Sequence, residues 1–300
     1  MTSSGVYGTP PAELAQAPAG STQFSPLIPG SGQLEDQSEG SLDSMILLAP
    51  PGTVERRYTT ALALKALAPG GALTVLAPKD KGGSRLAKEL KGFGCAVSET
   101  ARRHYRICSC ERPAELTGID EAVSEGAPRF DEALGLWTQP GAFSWNRRDP
   151  GSALLQDHLP ALGGKGADFG CGIGILSRTI LASSRVTHLV MIDIDRRAID
   201  MAARNVEDAR AEIRWADVRS LRLAGLDFVV MNPPFHDGGA EDQSLGQSFI
   251  RKAAEALRPG GTLWLVANRH LPYEGVLKPL FKRVTPAVEA SGYKVYEAQK

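Results

Sequence analysis

Along the second half of the chain, short apolar runs alternate with segments whose apolar residues recur every three to four positions. The clearest strand-like runs are 165–170, 187–193, 226–232 and 261–268, and helical spacing fits 174–183, 196–206, 243–257 and about 274–282. Such alternation predicts an α/β fold, a mainly parallel sheet with helices on both faces. Ligands of these sheets bind outside the carboxyl ends of the strands, so candidate chemistry is sought there.

The same pattern occurs twice. Residues 63–80 (ALKALAPGGALTVLAPKD) and 253–270 (AAEALRPGGTLWLVANRH) are identical at eight of eighteen positions without a gap. Each copy reads as a helix, a Pro-Gly-Gly stop and an apolar strand. Upstream of each lies an apolar run ending in two prolines, MILLAPPG at 45–52 and FVVMNPPF at 228–235. A degenerate duplication explains both matches. The copies differ where chemistry would sit, because Ala49 matches Asn232 and Gly52 matches Phe235. Only about 45 residues precede the first copy's double-proline strand, so that copy is truncated. Two domains are expected, a degenerate one over 1–130 and a complete one over 131–300.

Composition narrows the class. The 300 residues are 42% hydrophobic and 23% charged, as in ordinary soluble proteins. No apolar run approaches the roughly 18 residues that would span a bilayer, and no basic segment followed by an apolar one opens the chain. No membrane partner is expected. The four cysteines include a C-x-C at Cys108 and Cys110 rather than paired zinc-type spacings, so no metal is expected, and the compartment is read as a reducing cytoplasm.

The 34 basic and 34 acidic residues cancel only on average. Residues 1–45 hold five acids and no Lys or Arg, and are rich in Pro, Gly and Ser. Residues 1–44 are therefore expected to form an irregular arm, with Phe24, Leu27 and Ile28 available for docking. Between Lys79 and Arg112 stand nine basic and four acidic residues. The cluster Arg102, Arg103, His104, Tyr105, Arg106 reads either as a solvated face or as a patch for a phosphate backbone.

Three signals fall at strand ends of the second half. Asp168-Phe169-Gly170-Cys171-Gly172-Ile173-Gly174 follows a strand and opens a helix, and its glycines allow a tight turn and close backbone approach. The G-x-G-x-G spacing, two residues after an acid, differs from the nicotinamide fingerprint. Asp193 ends the next strand, where a ribose diol could be gripped, and Asp195 is the expected cap of the helix that follows. Asp217 follows a short strand and could accept from an adenine amine or merely close a loop. Together Asp168 for an ammonium group, Asp193 for ribose hydroxyls and Asp217 for adenine suit S-adenosylmethionine. A phosphate-bearing cofactor would prefer a less acidic turn.

The fourth signal, Asn232-Pro233-Pro234-Phe235, addresses a poor nucleophile, an exocyclic amine whose lone pair is delocalised into a base. The Asn232 side-chain carbonyl and the Pro233 backbone carbonyl would hold the two N–H groups and aim the nitrogen. Phe235 would stack on the base. Two prolines fix the backbone beforehand.

DFGCGIG (168–174), the Asp193 strand end, NPPFHDGG (232–239), the helix–PGG–strand and VANRHLPYE (266–274) resemble the small domain of class I methyltransferases. More narrowly, the chain is similar to the bacterial ribosomal RNA small-subunit methyltransferase C family. Pro140-Gly141-Ala142-Phe143-Ser144 and Asp149-Pro150-Gly151-Ser152 resemble that family's approach to its cofactor. The resemblance implies a Rossmann-like fold and transfer of a methyl group to guanine N2 in 16S ribosomal RNA, within a small ribosomal subunit or its precursor. It also implies an inactive, duplicated N-terminal domain, here expected to bind RNA through Arg102, Arg103 and Arg106. Competing acceptors are a 23S rRNA guanine, adenine N6 or a glutamine amide. A noncatalytic RNA-binding module is the reading from a different class.

Overall fold

Residues 8–41 hold too many Gly, Pro and Ser residues to sustain a helix, and the first sheet is built around that constraint. The computed structural model describes residues 3–234, 236–237, 240–241 and 243–300, with the backbone alone at 236, 237, 240, 241 and 243. The chain divides into two units, Met1–Pro128 with Gln139–Gly141, and Arg129–Thr138 with Ala142–Lys300.

The first unit contains β1 (Ser4–Tyr7), β2 (Thr22–Gln23), β3 (Leu42–Leu48), β4 (Leu67–Pro78), β5 (Ser98–Arg102) and β6 (Tyr105–Glu111). Its helices are α1 (Thr53–Ala66), α2 (Leu86–Gly92) and α3 (Ile119–Gly126). The sheet order is β2-β1-β3-β4-β6-β5, parallel through β4 and antiparallel beyond it. Residues 3–44 are docked: they supply β1, β2 and the start of β3 and are otherwise irregular, with Phe24 and Leu34 buried in the core, whereas Leu27 is exposed.

The second unit opens with a hairpin, β7 (Arg129–Asp131) and β8 (Leu136–Thr138), followed by α4 (Pro150–His158). Then come β9 (Gly164–Phe169), α5 (Ile175–Leu181), β10 (Val186–Asp193), α6 (Arg196–Asn205), β11 (Ala211–Trp215) and β12 (Leu226–Met231). A short hairpin of β13 (His236–Asp237) and β14 (Ala240–Glu241) leads to α7 (Gln243–Ala256), β15 (Leu257–Asn268), α8 (Glu274–Leu280), β16 (Arg283–Ala290) and β17 (Tyr293–Gln299). The main sheet runs β11-β10-β9-β12-β15-β17-β16, with five parallel strands and an antiparallel pair at one edge. Val229 and Leu263 pack under α7 and α8, whereas Val230 and Trp264 face the opposite core with Leu155 and Leu176. Burial on both faces is why these strands read as continuous apolar runs.

The two sheets share an order. β2, β1, β3, β4, β6 and β5 correspond to β10, β9, β12, β15, β17 and β16, and the first sheet has no counterpart of β11 among the described residues. No described helix occupies the links β1–β2 and β2–β3, where the second unit has α5 and α6. The Pro-Gly-Gly segments refine the sequence reading. They do not stop the helices, which end at Ala66 and Ala256, but form a bulge inside β4 and β15. Gly70 and Gly260 adopt φ of 79° and 80°. The register of the paired strand shifts at Leu42/Ser44 and Leu226/Phe228 respectively. No described helix is long and apolar enough to cross a membrane, and among the described residues no group of three or more His, Cys, Asp or Glu side chains could hold a metal ion.

Candidate active site

The turn from β9 to α5 carries the glycines at positive φ, 73° at Gly170, 54° at Gly172 and 91° at Gly174. Side chains are strained there. Gly170 and Cys171 donate their N–H groups to the Ile192 carbonyl, and Gly172 donates to Asp193 Oδ2 at 2.8 Å. A Cβ on Gly172 would meet nothing within 4 Å, whereas one on Gly174 would press into Val206. Gly172 therefore borders open space, and Gly174 serves helix packing rather than ligand approach.

An open cleft of about 390 Å³ lies over this turn, lined by Gly170, Cys171, Gly172 and Ile173, by Asp149 and Ser152 of the α4 N-terminus, and by Asn232. Phe143 and Ser144 complete one wall. Asp149 caps α4 by accepting from Ser152 N at 2.7 Å, with Pro150 at the first helical position. The same Oδ2 accepts from Asn232 Nδ2 at 2.9 Å, and Ser152 Oγ accepts from that nitrogen, also at 2.9 Å. A carboxylate only accepts, so the Asn232 amide can take one orientation, with Oδ1 left as its acceptor. Pro233 is buried beside it.

The predicted acids separate. Asp193 accepts from Asp195 N through Oδ1 (2.9 Å) and from Gly172 N through Oδ2, ties strand to turn, and remains partly exposed. Each oxygen keeps a second lone pair for a diol. Burial raises its pKa to about 6, helped by the neighbouring Asp195 charge and opposed by the backbone N–H bonds. Asp195 caps α6, as expected.

Asp168 corrects the sequence reading. It has no exposed surface and accepts from Ser177 Oγ at 2.6 Å, so it has no face on the cleft to meet an ammonium group. Burial pushes its pKa up to about 7, partly offset by Ser177. The carboxylate that does line the cleft is Asp149. Asp217 accepts from Arg219 N, Nε and Nη2 at 2.7–3.0 Å and is not among the residues that line the cleft. Cys171 is buried, which pushes its thiol well above the usual range and keeps it protonated.

Phe235 lies outside the described residues. In the first unit, Arg102, Arg103 and Arg106 gather at the β5–β6 turn, where Arg103 pairs with Glu13 (2.8 Å) and Arg106 with Glu99 (3.3 Å).

The family model for the methyltransferase small domain matches residues 133–297. A Pseudomonas aeruginosa protein described as ribosomal RNA small subunit methyltransferase C is 31% identical over 305 residues, covering 96% of this chain and 91% of that protein. A Shewanella loihica protein of the same description is 30% identical over 276 residues, covering 88% and 79%. This chain belongs to the ribosomal RNA small subunit methyltransferase C family. A solved T. thermophilus 16S rRNA N2 G1207 methyltransferase, in complex with AdoMet and guanosine, shares the fold. Its TM-score is 0.80 at 24% identity, and the match covers all of this chain and 88% of that one.

The residues of this family member fit S-adenosylmethionine. The cradle at Gly172 is open, Asp193 keeps acceptor capacity for a diol, and Asp149 offers a carboxylate to a cationic group. The family resemblance brings Asp149-Pro150-Gly151-Ser152 to the cofactor side, but the grip of Asp149 and Ser152 on Asn232 was not legible in the sequence.

Proposed function

We propose that this chain transfers a methyl group from S-adenosylmethionine to the exocyclic N2 of a guanine in 16S ribosomal RNA, in the cytoplasm, on a small ribosomal subunit or its precursor. The reading is carried by the fixed amide of Asn232. With Nδ2 committed to Asp149 and Ser152, Oδ1 accepts one N–H of the target amine. The Pro233 carbonyl takes the other, and Phe235 stacks on the base. Gly170, Gly172, Asp193 and Asp149 hold the cofactor, whose sulfonium supplies an activated methyl group. The chain need supply no nucleophile, and the amine can lose its proton after transfer.

Guanine N2 is engaged in pairing in a duplex, so the target must be unpaired or flipped. Arg102, Arg103 and Arg106 are proposed to contact phosphate from the first unit. The ion pair at Arg103 is exposed and that at Arg106 partly so, and solvent screens both, so a phosphate can displace them. Adenine N6 or a glutamine amide would satisfy the same two acceptors, and a 23S guanine would do so equally. Family membership favours the 16S guanine.

The test is Asn232→Ala. Single-turnover methylation should fall by about two to three orders of magnitude, on the scale of removing one preorganised transition-state interaction, with cofactor affinity nearly intact. Nucleoside mass spectrometry identifies the product. Near-normal formation of N2-methylguanosine by the variant would remove Asn232 from acceptor positioning.

A further inference from the structure

The hairpin that opens the second unit carries aromatic rings and guanidinium groups beyond anything the cleft uses. Phe130 is 45% exposed and meets Trp137 edge-on, with ring centroids 6.1 Å apart. Arg204 lies over Trp137 at 4.7 Å, and Arg129 lies over Trp145 at 5.0 Å. Arg147 and Arg148 follow on the exposed side. Against these four arginines the same stretch offers Glu132 and Asp131, and Asp131 is turned back to accept from Ala133 N and Leu134 N at 2.9 Å. Arg148 lies 3.9 Å from Asp157.

This face is tied to the cofactor turn. Asn205 accepts from Trp137 N (2.7 Å) and donates through Nδ2 both to Trp137 O and to Ile173 O (2.9 Å each). Ile173 lines the cleft. Thr138 Oγ1 donates to Trp145 O at 2.6 Å, and Trp145 follows Phe143 and Ser144, which form the cleft wall. Phe143 is itself 57% exposed. Aromatic faces with flanking cations, held rigidly beside a site that takes an extruded base, match the chemistry of unpaired nucleotides.

We propose that Phe130, Trp137 and Trp145, with Arg129 and Arg204, form a stacking platform for unpaired RNA bases flanking the target guanine. The proposal rests on the RNA-methylating reading above and adds where the catalytic unit grips its substrate. The probe is protein-free 16S rRNA transcribed in vitro, bound by the full chain across a salt series. Phe130→Leu should weaken binding roughly 5- to 150-fold, the range for removing one base–aromatic stack. Arg129→Gln with Arg204→Gln should reduce the salt slope by about 0.7 for each single-strand phosphate that is no longer neutralised. S-adenosylmethionine affinity of both variants, measured by calorimetry, should equal wild type and reports that the unit is folded.

Wild-type RNA affinity and slope in both variants would overturn the platform. Weaker binding to the assembled subunit alone, with protein-free RNA bound normally, would assign the face to a protein and also overturn it. Failure of the wild-type chain to form N2-methylguanosine, with RNA binding still impaired in the variants, would sink the functional reading and leave the platform standing.

Discussion

Arg56 and Glu89 form a two-pronged ion pair inside the first unit, Nε to Oε2 at 2.8 Å and Nη2 to Oε1 at 2.7 Å. The arginine is fully buried, and its Nη1 donates to the carbonyls of Pro50 (3.3 Å) and Pro51 (2.8 Å). Pro50 is the counterpart of Pro233, whose carbonyl is proposed to hold the substrate amine. In the first unit a guanidinium of the chain itself takes that acceptor. A Cβ on Gly82 would collide with this guanidinium, so the glycine there is part of the same arrangement.

Removing one partner of such a pair strands the other. Arg56→Met should destabilise the first unit by about 3–5 kcal/mol, the range for breaking a buried pair. Combining it with Glu89→Met should recover much of the stability. Chemical denaturation of the full chain, following the transition of the first unit, checks both outcomes.

Asp149→Asn separates capping from positioning. Asn caps a helix about as well as Asp, so stability should hardly change. The new amide can present N–H to Asn232, and the orientation of Asn232 is no longer forced. Single-turnover methylation should fall by about tenfold to a hundredfold, the scale of a small misplacement at a reacting centre. With S-adenosylmethionine saturating, so that the contact of Asp149 with the cofactor does not limit the rate, the same change in an Asn232→Ala background should have little further effect.

Asp193→Ala removes the diol acceptor and also the partner of Gly172 N and Asp195 N. Each hydrogen bond to a charged group is worth about 1.5–3 kcal/mol. S-adenosylmethionine binding, measured by calorimetry on folded protein, should weaken by at least one order of magnitude. Asp193→Asn should rescue only partly, because its NH2 must face one of the two backbone N–H groups.

Asp168 makes stability depend on pH. Its pKa rises from 3.8 to about 7 on folding, so the native state holds a proton that the unfolded chain releases. The slope of unfolding free energy with pH is then negative between those values. Asp168→Asn should match wild type in melting temperature near pH 4 and exceed it progressively up to pH 8. Parallel melting curves across that range would show that Asp168 ionises without cost.

The sequence by itself determined the periodic and punctuated features. The four main strands of the second unit, their helices, the glycine turn and the Asn232 motif lie within a residue or a few of where the pattern put them, except that β15 begins earlier, at Leu257. Apolar spacing and Gly or Pro signals act within one element, so they are readable locally. The repeat was readable too, because a shared bulge requires a glycine at the same place in both copies.

Tertiary structure decided what each acid does. Asp149 and Asn232 meet across 83 residues, and no local pattern announces that meeting. Asp168 and Asp193 look alike as strand-end acids, yet one is sealed under the turn and the other reaches its edge. Asp217 pairs with Arg219 two residues away and does not line the cleft. Residues 1–44 read as irregular because they lack helices and periodicity. Their strands are short and gain stability only from the partners they join, which come in part from residues beyond that stretch.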